Sequence, residues 1–210
     1  MQLSHLRPLV DAVQWRPVVA VGAAGLMAVE ASRLLNRPAD AVMQSGRYSL
    51  VFAAGCAALA VDDPAASIVA ASPTPLSRRR AFSLAVTLAA LVVCILPVGL
   101  RAALLRGDLP VRSQADLVLE VFAYAVFGCA VAAVAYRWGH TTSAGIAGAA
   151  AVMAAFVTSG ALPEYARLFP ATPFAPDARS RLVVNIVVVA AVLAWASRDP
   201  ARRRPIRRKP

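Results

Sequence analysis

Two runs of this chain, residues 81–100 and 141–163, contain no charged side chain, and a third, 117–136, contains only Glu120. About 20 apolar residues are what a helix needs to cross the hydrocarbon core of a bilayer. No water reaches backbone amides and carbonyls there, so such a run folds as a helix with its hydrogen bonds closed internally. The apolar residues come in blocks of this length instead of alternating with polar ones, which sets the chain apart from an ordinary water-soluble domain. The expected fold class is all-α, as a polytopic membrane protein.

Three weaker runs complete the count. Residues 17–35 are interrupted by Glu30 and Arg33, 45–61 carry Arg47 near one end, and 182–197 are short. Neighbouring helices cover short or polar-tipped spans in a closed bundle, so the expectation is six transmembrane helices. A composition that is 59% hydrophobic and 16% charged agrees. The chain then reads as one transmembrane domain over 1–210, with 1–16 as an interfacial helix, 17–197 as a six-span bundle and 198–210 as a basic tail. Leu3, Leu6, Leu9 or Val10, and Val13 recur at helical spacing, which suits a segment lying on the membrane surface. Arg7, Pro8, Asp11 and Gln14 break up the apolar run a signal peptide would need.

Charge sets the orientation. The tail RDPARRRPIRRKP places seven basic residues directly after the last span, which favours a cytoplasmic C-terminus and, with six spans, a cytoplasmic N-terminus. The net charge of +11 is therefore read as orienting charge that touches anionic lipid, not as a nucleic-acid arm. The setting is a plasma membrane, crossed several times.

Ionisable groups inside spans are rare and functional by default. Glu30 and Arg33, three residues apart, either pair on one helix face or snorkel to the interface, and snorkelling is preferred. Glu120 faces Arg112 or Arg47 as a structural partner. Asn185, one turn into the last span, lines a cavity or, the preferred reading, bonds a neighbouring helix. Gly145 and Gly148 sit in an alanine-rich run that allows close helix approach, and Pro97 frees a carbonyl and is expected to kink its helix. Cys56, Cys94 and Cys129 fall in three different spans, with no metal-ligand spacing, and read as small packing residues.

The segment VDDPAASIVAASPTPLSRRR, residues 61–80, differs from everything around it. Asp62 and Asp63 ahead of Pro64 suit a helix start, because a carboxylate accepts the free amides and proline needs no donor in the first turn. Ser67, Ile68 and Val69 lie in the two turns that follow, and Pro73, Thr74 and Pro75 end them. Arg78, Arg79 and Arg80 close the segment. One reading is a well-capped loop with positive-inside arginines. The other is a displayed helix that docks a partner.

The pattern Asp-Asp-Pro-Ala, then Ala-Ser-Pro-Thr-Pro-Leu and the arginine run, resembles the cytoplasmic link between spans two and three of small ABC-2 type exporter permeases from high-GC, actinobacterial-like bacteria. The resemblance covers the whole chain as layout and about twenty positions as residues. It implies a dimer of six-span subunits, or a pairing with a related permease chain, bound to cytoplasmic ABC-type ATPase subunits and moving lipophilic compounds, peptides or lipid-linked glycans outward. Asp62, Asp63 and Pro64 would shape the coupling helix, Ile68 and Val69 would fill a groove on the ATPase, and Arg78 to Arg80 would meet its acidic surface or lipid headgroups. ATP and Mg would sit on the partner: a phosphate-binding loop needs a Gly-Lys-Ser/Thr step, and the only lysine here is Lys209.

Two other classes were weighed. An intramembrane enzyme would need Ser159 and His140 within hydrogen-bond reach, yet they fall at opposite ends of one span. No catalytic residue, metal site or bound cofactor is expected. A non-transporting scaffold or assembly partner explains the apolar helices equally well, but gives no reason to keep the 62–80 helix intact.

Overall fold

A computed structural model describes residues 16–61, 76–106, 111–139, 143–163, 169 and 177–196. Within these residues the chain forms six α-helices and no strand: α1 (Arg16–Leu34), α2 (Ala39–Ala57), α3 (Leu76–Arg106), α4 (Val111–Arg137), α5 (Ala144–Ala161) and α6 (Ala178–Ala196). A 3-10 turn, Ala58–Val61, extends α2. The expected interfacial helix at 1–16, the basic tail and His140 lie outside the described residues.

Four helices are long and apolar enough to cross a membrane: α1, α4 over Ala115–Arg137, α5 and α6. A shorter apolar stretch, Phe82–Val98, lies within α3. The helix bounds sit within a few residues of the six expected runs, except that α2 begins at Ala39 and α3 and α4 extend further at both or one end. The early start of α2 follows Pro38, whose fixed φ suits the residue ahead of a helix and whose carbonyl accepts from Ala41 and Val42. Asn36, with φ +50°, turns the end of α1 in the left-handed conformation that asparagine tolerates. Gly139 does the same after α4 at φ +97°.

Side-chain contacts fix the directions of the helices. Glu30 and Arg101 pair near the C-terminal ends of α1 and α3, while Arg47 and Glu120 pair within the N-terminal halves of α2 and α4. Asp116 and Arg179 join the starts of α4 and α6, and Arg137 donates to the Trp195 carbonyl near their ends. Odd-numbered and even-numbered helices thus run in opposite senses. For orientation, the end where α1 and α3 finish is called the polar end, and the one where α4 and α6 finish the small-residue end.

At the centre stands α4, with Val121, Ala123, Tyr124, Ala125 and Val126 all buried, so that it is covered on every side. It packs on α2, α5 and α6, while α1 packs on α2 and α3. The contrast with α6 is large: 67% of the α4 span is buried against 11% of α6. Val183, Val184, Val187, Val188 and Val192 all lie exposed on α6. In water that face would be an apolar patch of the kind soluble monomers avoid, whereas it is the expected surface of a helix facing lipid. The fold is that of a helical protein suited to a membrane.

Glycines allow the tightest crossings. A Cβ at Gly148 would collide with the Gly128 carbonyl oxygen and come 2.8 Å from Ala58 Cβ, so α5 lies directly against α4 and the end of α2. A Cβ at Gly22 would meet Cys94 Sγ at 2.6 Å. Cys94 and Cys129 are buried and Cys56 is half-buried, each a free thiol among apolar neighbours. Helix α3 continues through Pro97.

Candidate functional site

The residues singled out at 62–75, namely Asp62, Asp63, Pro64, Ser67, Ile68, Val69, Pro73, Thr74 and Pro75, lie outside the described residues. Arg78, Arg79 and Arg80 belong to the first turns of α3, which starts at Leu76, instead of to the loop ahead of it. A proline immediately before a helix costs no intrahelical bond, so Pro75 is a natural boundary. What is described on the near side of the segment is its anchor. Val61 is buried with Ala58, Cys129, Ala132, Ala133 and Ala196, which fastens the end of α2 to α4 and α6.

The charged groups concentrate at the polar end. Arg47 lies about two turns into α2 and Glu120 about two and a half turns into α4. The Arg47 Nε donates to both Glu120 oxygens at 3.1 and 3.0 Å, and Nη2 donates to Oε1 at 2.5 Å. The Glu120 side chain is 0% exposed and that of Arg47 9%. A buried carboxylate survives only when paired and hydrogen-bonded, and this fork supplies both conditions. Of the two partners expected for Glu120, Arg47 is the one found.

Aromatic rings surround the pair. The Arg47 guanidinium carbon lies 5.3 Å from the Phe156 ring centroid, a cation–π contact from α5. Phe156 meets Tyr48 edge-on at 5.5 Å and Tyr124 at 5.9 Å. Tyr124 stacks on Phe169 at 4.1 Å between centroids, and Phe127 meets Phe169 at 5.5 Å. The Tyr124 hydroxyl is buried with no well-formed hydrogen bond, and Ser159 is the polar side chain beside it. Ser159 itself donates to the Phe156 carbonyl at 2.6 Å, a local helix contact.

Two further pairs lie closer to the same end. Glu30 accepts a fork from Arg101 of α3, and Arg33 stands 3.6 Å away as a second, looser cation. The same-helix pair with Arg33, the lesser alternative to snorkelling, is thus present but minor, and the main tie crosses to another helix. Arg179 donates to Asp116 through Nε at 2.9 Å and Nη2 at 2.6 Å. Arg101, Asp116 and Arg179 were not singled out from the sequence. Asn185 is half-buried on α6. Among the described residues no group of His, Cys, Asp and Glu is placed to hold a metal ion.

Chemically, the arrangement ties helices together through three cross-helix ion pairs, of which Arg47–Glu120 is shielded from solvent and the other two are partly exposed. No family model matches the chain, and no curated protein or solved structure matches it.

Proposed function

We propose that this chain is the six-span membrane subunit of an ABC-2 type exporter, placed in a bacterial plasma membrane with both termini cytoplasmic. Residues 62–80 would dock a separate ABC-type ATPase that binds ATP and Mg, and a second permease copy or a related chain would complete the assembly. The cargo class that fits is a lipophilic compound, peptide or lipid-linked molecule. The observation that carries the reading is the anchor of the 62–75 segment. Its near end, Val61, is buried in the small-residue cluster with α4 and α6, and its far end leads into the continuous helix α3. A push on a segment clamped in this way passes to whole helices and is not absorbed by a loose hinge.

A second reading has an observation of its own. The charge pairs join α1 to α3, α2 to α4 and α4 to α6. Helices tied so thoroughly suit a scaffold or assembly partner that moves little. The two readings separate in a mild-detergent pull-down from native membranes. The exporter reading expects a P-loop ATPase to co-purify and Ile68→Asp to abolish that capture. A folded chain that brings down no ATPase would leave the scaffold as the better account.

A further inference from the structure

Glu120 is the most deeply buried charge among the described residues, and its position raises a mechanical question. Its partner Arg47 stands on α2, the helix whose other end is fixed at Val61 immediately before the 62–75 segment. Any rotation or slide of α2 against α4 that starts at the small-residue end must either carry the ion pair with it or pull it apart. At the small-residue end the polar contact between α2 and α4 is the weak bond from the Cys129 thiol to the Ala57 carbonyl at 3.6 Å, beside Gly128, Ala58 and Ala132, so a shift there can occur without losing a charge contact. The pair cannot shift in this way. A carboxylate and a guanidinium separated in a dry interior have no stable state, so separation happens only together with entry of water.

We propose that Arg47 and Glu120 form a two-state latch between α2 and α4. In the closed state they are joined and dry, and in the open state α2 and α4 part at that level and water enters between the charges from the polar end. Three features fit an openable contact better than a permanent staple. On α4, Glu120 lies one helical turn further in than Asp116, and the Glu30–Arg101 and Asp116–Arg179 ties join α1 to α3 and α4 to α6, so neither of them bridges α2 and α4. On the α5 side the Phe156 ring lies 5.3 Å from the Arg47 guanidinium carbon, and rotation of that side chain would uncover the pair there. Behind it the Tyr124 hydroxyl lacks a good partner in the closed state and gains one when water enters. The latch does not depend on which partner residues 62–80 bind.

The test uses the full chain in lipid nanodiscs with Ala123→Cys as the probe, one turn from Glu120 and buried, and native Cys129 in the seam as the internal reference. A water-soluble maleimide is added over a range of concentrations, and labelling at each thiol is read by peptide mass spectrometry. The latch predicts that Cys at 123 labels at least about ten-fold faster than Cys129 and reaches a rate that no longer rises with reagent, which is the opening rate. Glu120→Gln should raise that plateau at least about ten-fold while Cys129 stays unchanged, because one charge then has nothing to hold it closed. Arg47→Met together with Glu120→Leu should fold and lower the plateau below that of the parent chain. Equal labelling at both sites in the parent chain, or equal acceleration at both in Glu120→Gln, would overturn the latch, since a static staple loosens the bundle as a whole. None of these readouts needs an ATPase, so the latch can fail while the exporter reading stands, and the reverse.

Discussion

The two ends of the α2–α4 contact are built on opposite principles. At the polar end the helices meet through Arg47 and Glu120, with Phe156 alongside and Tyr124 behind. At the small-residue end they meet through Ala57, Ala58, Gly128, Cys129 and Ala132, and the Cys129 thiol lies 3.6 Å from the Ala57 carbonyl. Close backbone packing brings the helices together wherever small residues face each other, through contacts that carry no charge. A forked ion pair has one register and tolerates no other. The seam therefore supplies attachment, and the pair supplies the setting at which α2 and α4 rest.

The strongest way to break that contrast is to remove one member of the pair. Glu120→Ala leaves a buried guanidinium with no carboxylate and should cost about 3–5 kcal/mol of stability, measured by reversible unfolding in mixed micelles. Arg47→Met with Glu120→Leu removes both charges and should recover most or all of that loss. If the double variant is as unstable as the single one, packing volume and not charge is what the site supplies.

The seam is probed next, with a smaller effect. Gly148→Ala drives a methyl into the Gly128 carbonyl and Ala58, both unable to move aside without shifting a helix, and should cost about 1–3 kcal/mol. Gly160→Ala, on the same helix but facing open space, should be neutral or stabilising by up to about 1 kcal/mol, because alanine favours helix over glycine. A Gly148→Ala variant as stable as Gly160→Ala would show that α5 is not seated on α4 as described.

The helices themselves were legible in the sequence because a local property, a run of apolar residues, marks them, although among the described residues only four are long and apolar enough to cross a membrane. The six expected runs and the six helices coincide to within a turn or so at most ends. Glycine packing in α5 was legible for the same reason, since Gly145 and Gly148 announce a close approach without naming the neighbour. Of the ion pairs, Arg47–Glu120 was one of the two pairings expected for Glu120, while the other cross-helix pairs were not legible. For Glu30 the sequence offered snorkelling or a same-helix pair with Arg33, yet its main partner, Arg101, is 71 positions away and becomes a neighbour only once α1 and α3 run side by side. Arg47 read as the polar tip of a span because the apolar run starts at 45, while the helix begins at Ala39 and carries it two turns deep. Depth depends on where the helix starts, and polar first turns hide that start. Asp116 was read as loop for the same reason, since α4 begins at Val111.

That error makes Asp116 the most useful of the weaker pairs. Its bonds to Arg179 run from two guanidinium nitrogens onto the single oxygen Oδ1, unlike the Arg47–Glu120 pair in which both carboxylate oxygens are engaged, and the Arg179 side chain is 52% exposed, so water or lipid headgroups replace the partner when it is lost. Asp116→Asn should therefore cost only about 0.2–1 kcal/mol, and less as salt is raised, because exposed pairs are screened. The same unfolding assay that reads Glu120→Ala measures it. A loss as large as that of Glu120→Ala would place the Asp116 tie in a dry environment, and the polar end would then be one continuous buried layer, with no outer ring that water can enter beside the latch. A small, salt-sensitive loss keeps the outer ties at an aqueous boundary, and the difference between the two variants then measures how steeply the surroundings change over about one helical turn of α4.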